Sequence, residues 1–439
     1  MRSRAAEVDT SAVSSPSTSL RTSPPTAAKE KQSTVHGRWS TAKPHTDKVN
    51  LEFGSVEAVS ILLTKMEFAP APPRRDLRLA TTSWCTPFDG KIGEKIMRVA
   101  MYYNNRDIRI EEWLIPRIGP GEILVKVWAS GICGSDVMEW YRIKKAPLVL
   151  GHEIGGEIVE VGEGVNQYKI GDRVFVSHHI PCNTCRWCLK GYHTVCETLH
   201  TTNYDPGGFA EYIRIPRLNV DRGVFILPEE LSYEDGTFVE PLGCVLRGQR
   251  MARLKPGESV LILGSGISGL LHLLLAKALG AGRIVTTDIN DYRLRAAREF
   301  GAEAVIHANE DVPARVREIN DGKPADLVII CAGNLSVFQQ ALKSVDRGGT
   351  VLFFAPTDPG VELPVPVNEF WRNGITLLPS YGASPSDCVQ AIELMRSGRV
   401  PVRKMITHRL GLEETALGFK LVEEAKECIK VIIEPHKVY

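Results

Sequence analysis

The chain has 439 residues, 43% hydrophobic and 24% charged, the make-up of a water-soluble globular protein with room for two or three domains. Its formal net charge of +1 gives no electrostatic reason to expect nucleic acid or an acidic membrane surface as a partner. No stretch approaches the roughly 18 apolar residues of a spanning helix, so no membrane anchor is expected, and a cytoplasmic location is.

Residues 1–46 are rich in Ser, Thr, Ala and Pro with almost no aromatic content, too little apolar surface to offset chain entropy. Residues 47–96 are mixed, and Ala69 to Arg75 (APAPPRR) reads as linker. The expectation for residues 1–96 is therefore disorder, or an extension upstream of a functional start at Met97. An organelle transit peptide and a regulatory tail compete with that reading.

From Met97 the texture changes. MRVAMYYN and IGPGEILVKVWASGICG alternate as strands do, and residues 97–246 continue with short strands, glycines and turns. Within this part GICGSD presents Cys133, Ser135 and Asp136, and GHEIGGEIVEVGEGV presents His152 and Glu153. Singly, His152 reads as a hydrogen-bonded surface histidine and Cys133 as a small buried hydrophobe. Cys182-x2-Cys185-x2-Cys188-x7-Cys196 is different, because four thiols at that spacing suit a closed tetrahedral zinc site. A tight cluster in a large chain points to metal and a reducing compartment, whereas disulfide frameworks belong to short secreted chains. A fully ligated site leaves no open position, so its role is structural.

From Ser259 strands alternate with helices: SVLILGSG, RIVTTD, AEAVIHA, ADLVIICAG, GTVLFFAP and GITLLPS, with a helix from Tyr292 to Phe300. That alternation predicts a parallel, doubly wound sheet. LILGSGISGLL places Gly264, Gly266 and Gly269 in the GxGxxG spacing between strand and helix, followed by a strand ending in Asp288. Gly264 permits a tight turn, Gly266 lets backbone approach a pyrophosphate, and Gly269 lets helix and strand pack closely. Asp288 is placed to accept the ribose hydroxyls of NAD and to repel a 2′-phosphate, while Arg293 and Arg295 lie downstream. Gly333 closes the fourth strand, where a nicotinamide would lie. After Tyr381 one helix, Cys388 to Arg396, is followed by strand-like pieces ending in CIKVIIEP.

With GICGSD, the GHE block carrying Gly156, Gly162 and Val165, GDRVFV, the four-cysteine lobe, GGFAEY and GSGISG, residues 97–439 resemble the zinc-containing alcohol dehydrogenase type of the medium-chain dehydrogenase/reductase family. The resemblance implies an α/β protein with a GroES-like, mainly-β catalytic domain (97–246 and 381–439) interrupted by a Rossmann domain (247–380). It implies one catalytic and one structural zinc, NAD, and a homodimer or homotetramer. Cys133 and His152 become catalytic zinc ligands, and Ser135 a hydroxyl relay for the substrate proton. FVEPLGCVLRG resembles the sorbitol and threonine dehydrogenase branches, with Glu240 where other branches have cysteine, so the third ligand is Glu153 or Glu240. Cys244 reads as packing and Asp136 as orienting its neighbours. The implied reaction is hydride transfer between NAD and a secondary alcohol: a polyol, a sugar or a hydroxy-amino acid. The nineteen-residue spacing of Cys133 and His152 is shorter than expected in the sorbitol branch, and the loop between them carries Trp140 and Tyr141. A zinc-independent reductase on the same fold and a noncatalytic zinc- and nucleotide-binding protein are the alternatives.

Overall fold

A computed structural model describes residues 95–437, so the expectations for residues 1–96 fall, but for the last two, outside the described residues. Two larger sheets organise the described chain, and a three-stranded sheet flanks them. In the latter, β1 (Ile96–Asn104) pairs antiparallel with β2 (Asp107–Leu114), and Met97 on β1 is already buried.

The seven-stranded sheet holds β3 (Ile123–Gly131), β5 (Glu153–Val161), β6 (Arg173–Val176), β7 (Tyr212–Ile215), β8 (Val224–Ile226), β15 (Ile406–Gly411) and β16 (Lys430–Glu434). The short strand β4 (Leu148–Val149) pairs with β1. The last strands of the chain thus return to complete the first sheet, β16 lying antiparallel to β3. Two registers bring distant residues together: β3 sets Gly131 opposite Glu153 on β5, and β16 sets Ile432 opposite Gly131.

The six-stranded sheet is wholly parallel: β9 (Val260–Leu263), β10 (Ile284–Asp288), β11 (Ala304–His307), β12 (Ala325–Ile330), β13 (Val345–Phe353) and β14 (Thr376–Pro379), in the order β11-β10-β9-β12-β13-β14. This is the doubly wound order 3-2-1-4-5-6. Both faces of β9 are covered: Val260 and Ile262 belong to one core cluster, Leu261 and Leu263 to another. That is why VLIL reads as an unbroken apolar run and not as alternation. The first of these clusters also takes in Phe175 and Ile432 from the seven-stranded sheet.

Helices are more numerous than the sequence pattern suggested. Val239–Ala252 is a 14-residue helix in a stretch read as strand and turn, and it runs through the boundary expected at residue 246. Thr415–Glu424 is a second helix after Tyr381, beyond Pro385–Arg396. Gly243 explains the first: a Cβ there would lie 3.1 Å from that of Ala383, so the helix packs closely on the segment leading into Pro385–Arg396. Among the described residues no helix is long and apolar enough to cross a membrane.

Candidate active site

The site grows out of one register. Because Gly131 on β3 faces Glu153 on β5, Cys133, two residues past Gly131, lies beside His152, the residue before Glu153. Donor atoms of Cys133, His152 and Glu153 all lie within 4.8 Å of one another. A thiolate, an imidazole and a carboxylate at that separation suit a single Zn²⁺ with an open position.

Each member is held by a partner. Asp136 is fully buried and lies 3.3 Å from His152 Nδ1, which leaves Nε2 as the ring nitrogen free to ligate. Asp136 also accepts from the Cys133 amide at 3.1 Å and from Arg142 at 3.2 Å. Burial alone would raise the Asp136 pKa, but the His152 charge and hydrogen bond bring it below the usual carboxylate range. Burial likewise works against a charged His152, and the negative charge of Asp136 and Cys133 outweighs it, holding the imidazole pKa well above its ordinary value. This is the electrostatic setting of a cation site.

Glu153 forms an ion pair with Lys430 at the start of β16, and both side chains are 1% exposed. Burial pushes the Glu153 pKa up, and the Lys430 ammonium draws it back only in part. Lys430 also donates to the Ile132 carbonyl at 3.3 Å. Gly131 makes the pair possible: a Cβ there would come within 2.5 Å of Glu153 Oε2 and 2.7 Å of Lys430 Nζ. Glu240 is not in the three-residue group. It lines the same cavity from the Val239–Ala252 helix and accepts a hydrogen bond from Cys244 Sγ, one turn on, at 3.3 Å.

Ser135 Oγ donates to Cys133 Sγ at 3.4 Å and accepts from Arg142 Nη2 at 2.9 Å, while Arg142 Nε donates to the Ser135 carbonyl at 3.0 Å. The cavity these groups open onto has a volume of about 400 Å³. It extends to Ser268, in the first turn of the Ile267–Ala278 helix, and to Phe354. Tyr141 lines it too. Trp140, its neighbour in the sequence, packs against Tyr141 with ring centroids 5.7 Å apart.

That helix begins at Gly266 with no side chain capping it, so its first amides are free for an anion. Gly264 has φ +105°, and a Cβ there would crowd Cys331 on the neighbouring strand connection. At Gly269 a Cβ would lie 1.9 Å from the Gly264 carbonyl oxygen, so the close packing expected of that glycine is strict. Gly264 and Gly333 follow β9 and β12, adjacent strands whose connections diverge, which is where doubly wound sheets bind dinucleotides. Gly333 runs against Pro356, whose carbonyl oxygen a Cβ would approach to 2.5 Å. The Asp288 carboxylate ends β10 and accepts from the amides of Ser265 at 2.8 Å and Asn290 at 3.0 Å. The Arg293 guanidinium lies over the turn, 3.5 Å from where a Gly266 Cβ would be, and its buried Nε has no hydrogen-bond partner. A free backbone cradle and an unsatisfied buried donor fit a pyrophosphate.

The second metal group is Cys182, Cys185, Cys188 and Cys196. Sulfur separations include 3.6 Å (Cys185–Cys188), 3.6 Å (Cys182–Cys196) and 3.9 Å (Cys182–Cys188). The edge of a tetrahedron with Zn–S bonds of 2.3 Å is about 3.8 Å, so the cage already has the size of the ion. Backbone amides of Thr184 and Cys185 hold the Cys182 thiol down at about 5, favouring the thiolate, while burial lifts Cys188 to about 12.

Several residues at the site escaped the sequence reading. Lys430 could have been suspected, as a lone cation inside the apolar strand CIKVIIEP, which needs a buried counter-charge. The pair His178–His179 stands just before the cysteine lobe, and two adjacent imidazoles are a signal for a polar site. Arg142 carried no signal, since a surface arginine looks the same.

Known proteins match this geometry. Residues 119–222 match the alcohol dehydrogenase GroES-like domain, and residues 268–397 the zinc-binding dehydrogenase domain. The chain is 34% identical to a sorbitol dehydrogenase of Bacillus subtilis, over 78% of this chain and 98% of that protein. It is 33% identical to an L-threonine 3-dehydrogenase of Bacillus licheniformis, over 73% of this chain and 93% of that one. A crystal structure from Sinorhizobium meliloti, described as a zinc-binding dehydrogenase bound to NADP, superposes with a TM-score of 0.70 at 29% identity, covering 78% of this chain and all of the other.

Proposed function

Because the chain belongs to the zinc-containing alcohol dehydrogenase type of the medium-chain dehydrogenase/reductase family, we propose that it exchanges a hydride between a secondary alcohol of the polyol, sugar or hydroxy-amino-acid kind and NAD. The observation that carries this is the cavity itself. It has the Cys133–His152 pair at one side and the start of the dinucleotide helix at the other.

Cys133, His152 and Glu153 would hold the catalytic zinc, and the four lobe cysteines the structural one. Bound there, zinc supplies a Lewis acid that lowers the pKa of a substrate hydroxyl. The chain's own residues do the rest. Asp136 fixes the His152 ring, and Lys430 fixes the Glu153 carboxylate. Ser135 Oγ, held by Arg142 and donating its proton to Cys133 Sγ, is the hydroxyl beside the metal group that would pass on a substrate proton by turning that O–H away from the sulfur. Glu240 faces the substrate space. Gly264, Gly266, Gly269 and Gly333 give the cofactor backbone room, Arg293 meets its phosphates and Asp288 its adenosine ribose.

The domain division is proposed as residues 97–246 with 381–439 around 247–380, and the setting as cytoplasmic. A homodimer or homotetramer is supported by Val367 and Trp371, 72% and 80% exposed on the one helix that precedes the edge strand β14 in the chain. Light scattering tests the assembly. The function is tested by following reduced cofactor with zinc-replete protein, NAD and a panel of alcohols. Cys133→Ser and His152→Ala are each expected to lose turnover at least a hundredfold while NAD binding persists. Full activity in either variant, or no turnover by the parent chain, overturns the reading.

A further inference from the structure

A second cavity shares no residue with the one that holds the metal group. It has a volume of about 370 Å³ and lies where the Asp291–Glu299 helix of the parallel sheet meets the chain's last strands. Tyr292, Arg295 and Glu299 form its helix wall. Lys404, on the short turn Arg403–Met405 that leads into β15, stands across from them. Phe300 and Ile429 give it an apolar floor, continuous with the core cluster that takes in both large sheets.

The polar groups around this cavity are unmatched. Arg295, Lys404 and the Tyr292 hydroxyl have no hydrogen-bond or ion-pair partner among the described residues, and Glu299 pairs with neither cation. A cation one turn before an acid is the weaker order for a helical pair, which leaves Arg295 free to face the cavity. Their neighbours are engaged instead: Arg403 with Asp235, and Arg293 with the Cys428 carbonyl at 3.5 Å. Burial raises the Tyr292 pKa, so its hydroxyl stays a donor.

We propose that this cavity binds a small hydroxylated phosphate monoester, and that the bound ester tightens the protein's hold on the dinucleotide. Arg295 and Lys404 match the two negative charges of the phosphate, one as a planar fork of donors and the other as a point charge. Glu299 is then left to accept from a neutral hydroxyl of the same molecule. The volume falls within the roughly 300–1,000 Å³ of small-molecule sites. The coupling follows from the walls. Arg293, next to Tyr292, lies over the Gly266 turn, and Asn290 ties the same helix to the carbonyls of Ala425 and Lys426 at 2.9 and 2.7 Å. A ligand gripped by Arg295 on one side and Lys404 on the other adds a bridge across that seam, and so steadies Arg293 beside the cofactor phosphates. The site is independent of the dehydrogenase reading; the coupling rests on it.

Calorimetric titration of the full-length, zinc-replete protein tests both, with glucose 6-phosphate, glycerol 3-phosphate, inorganic phosphate and glucose as probes. At least one ester is expected to bind with a Kd below about 1 mM, and glucose is expected to give no heat. Saturating NAD should tighten the ester by about threefold or more, and the ester should tighten NAD by the same factor. Arg295→Gln and Lys404→Gln, both at exposed positions, should each weaken the ester about tenfold, the loss of one charge-assisted contact. Glu299→Gln should weaken the ester and leave inorganic phosphate unchanged. Arg298→Gln, exposed on the same helix but outside the cavity, should change nothing. No heat from either ester, equal weakening by Arg298→Gln, or tighter binding of inorganic phosphate than of both esters overturns the site. Loss of ester binding in the presence of NAD places the ester at the cofactor turn and overturns it too. Ester binding that NAD leaves unmoved overturns the coupling alone. Failure of the parent chain to bind NAD strikes the dehydrogenase reading and the coupling, while the ester titrations still decide the cavity.

Discussion

The two metal-binding groups of this protein draw their stability from different places. The four lobe thiols come from residues 182–196 and are arranged by local turns, including Asn183 in the left-handed region at φ 63°. Cys133, His152 and Glu153 meet only because β3 pairs with β5, and their carboxylate is secured by Lys430, 277 residues further along. The closed cage organises itself and needs only the ion. The open site needs the whole seven-stranded sheet, the return of the chain's last strand, and a fully buried ion pair. A site that must leave one position free cannot rely on its ligands alone for rigidity, so neighbouring groups supply it. The contrast is not isolation, since the lobe carries His200 into the cavity the open site faces.

The contrast breaks most visibly at Lys430. In the zinc-free protein Lys430→Met strands Glu153 as an unpaired buried carboxylate, and breaking a buried pair costs on the order of 3–5 kcal/mol. Thermal unfolding should show the loss, and the double variant Lys430→Met/Glu153→Gln should recover much of it while still failing to fill the open metal site. A Lys430→Met protein as stable as the parent would mean the pair does not hold the site together. A smaller effect is expected at the lobe. Cys185→Ser should lower bound zinc from two ions per subunit to one and cost roughly 2–3 kcal/mol, the contribution of a ligand held at about a hundred times its Kd. Loss of both ions would show that the lobe is not independent.

The same contrast explains what could be read from sequence. Everything local was legible: the cysteine spacing, the glycine turn, and the six parallel strands with Asp288 at the end of the second. Cys133 and His152 were legible through motif. Which carboxylate stands by them was not, because Glu153 and Glu240 are both acids near apolar segments, and only the β3–β5 register separates them. The Val239–Ala252 helix was missed because Pro241, Gly243 and Gly248 within it mimic a turn-rich stretch. Tertiary packing favours the helix: Gly243 allows the approach to Ala383, and Gly248 the approach to Leu352.

The smallest expected effect lies in the parallel sheet, away from both metals. Asp288 ends β10 with its carboxylate held by the Ser265 and Asn290 amides, so it cannot swing away from a 2′-phosphate. Asp288→Asn removes the repulsion at the loss of one of these two hydrogen bonds, since each carboxylate oxygen accepts one amide and the asparagine has a single acceptor oxygen, while Arg293 stays beside the turn. The kcat/KM ratio of NAD to NADP should fall about tenfold, a change of about 1.4 kcal/mol in relative transition-state binding. Zinc content should stay at two ions per subunit, because no ligand or ligand-supporting group is touched. A parent enzyme that already prefers NADP would remove the repulsion argument and give Arg293 the deciding role. A variant that also lost zinc would show that the dinucleotide end and the metal end of the cavity are not separable.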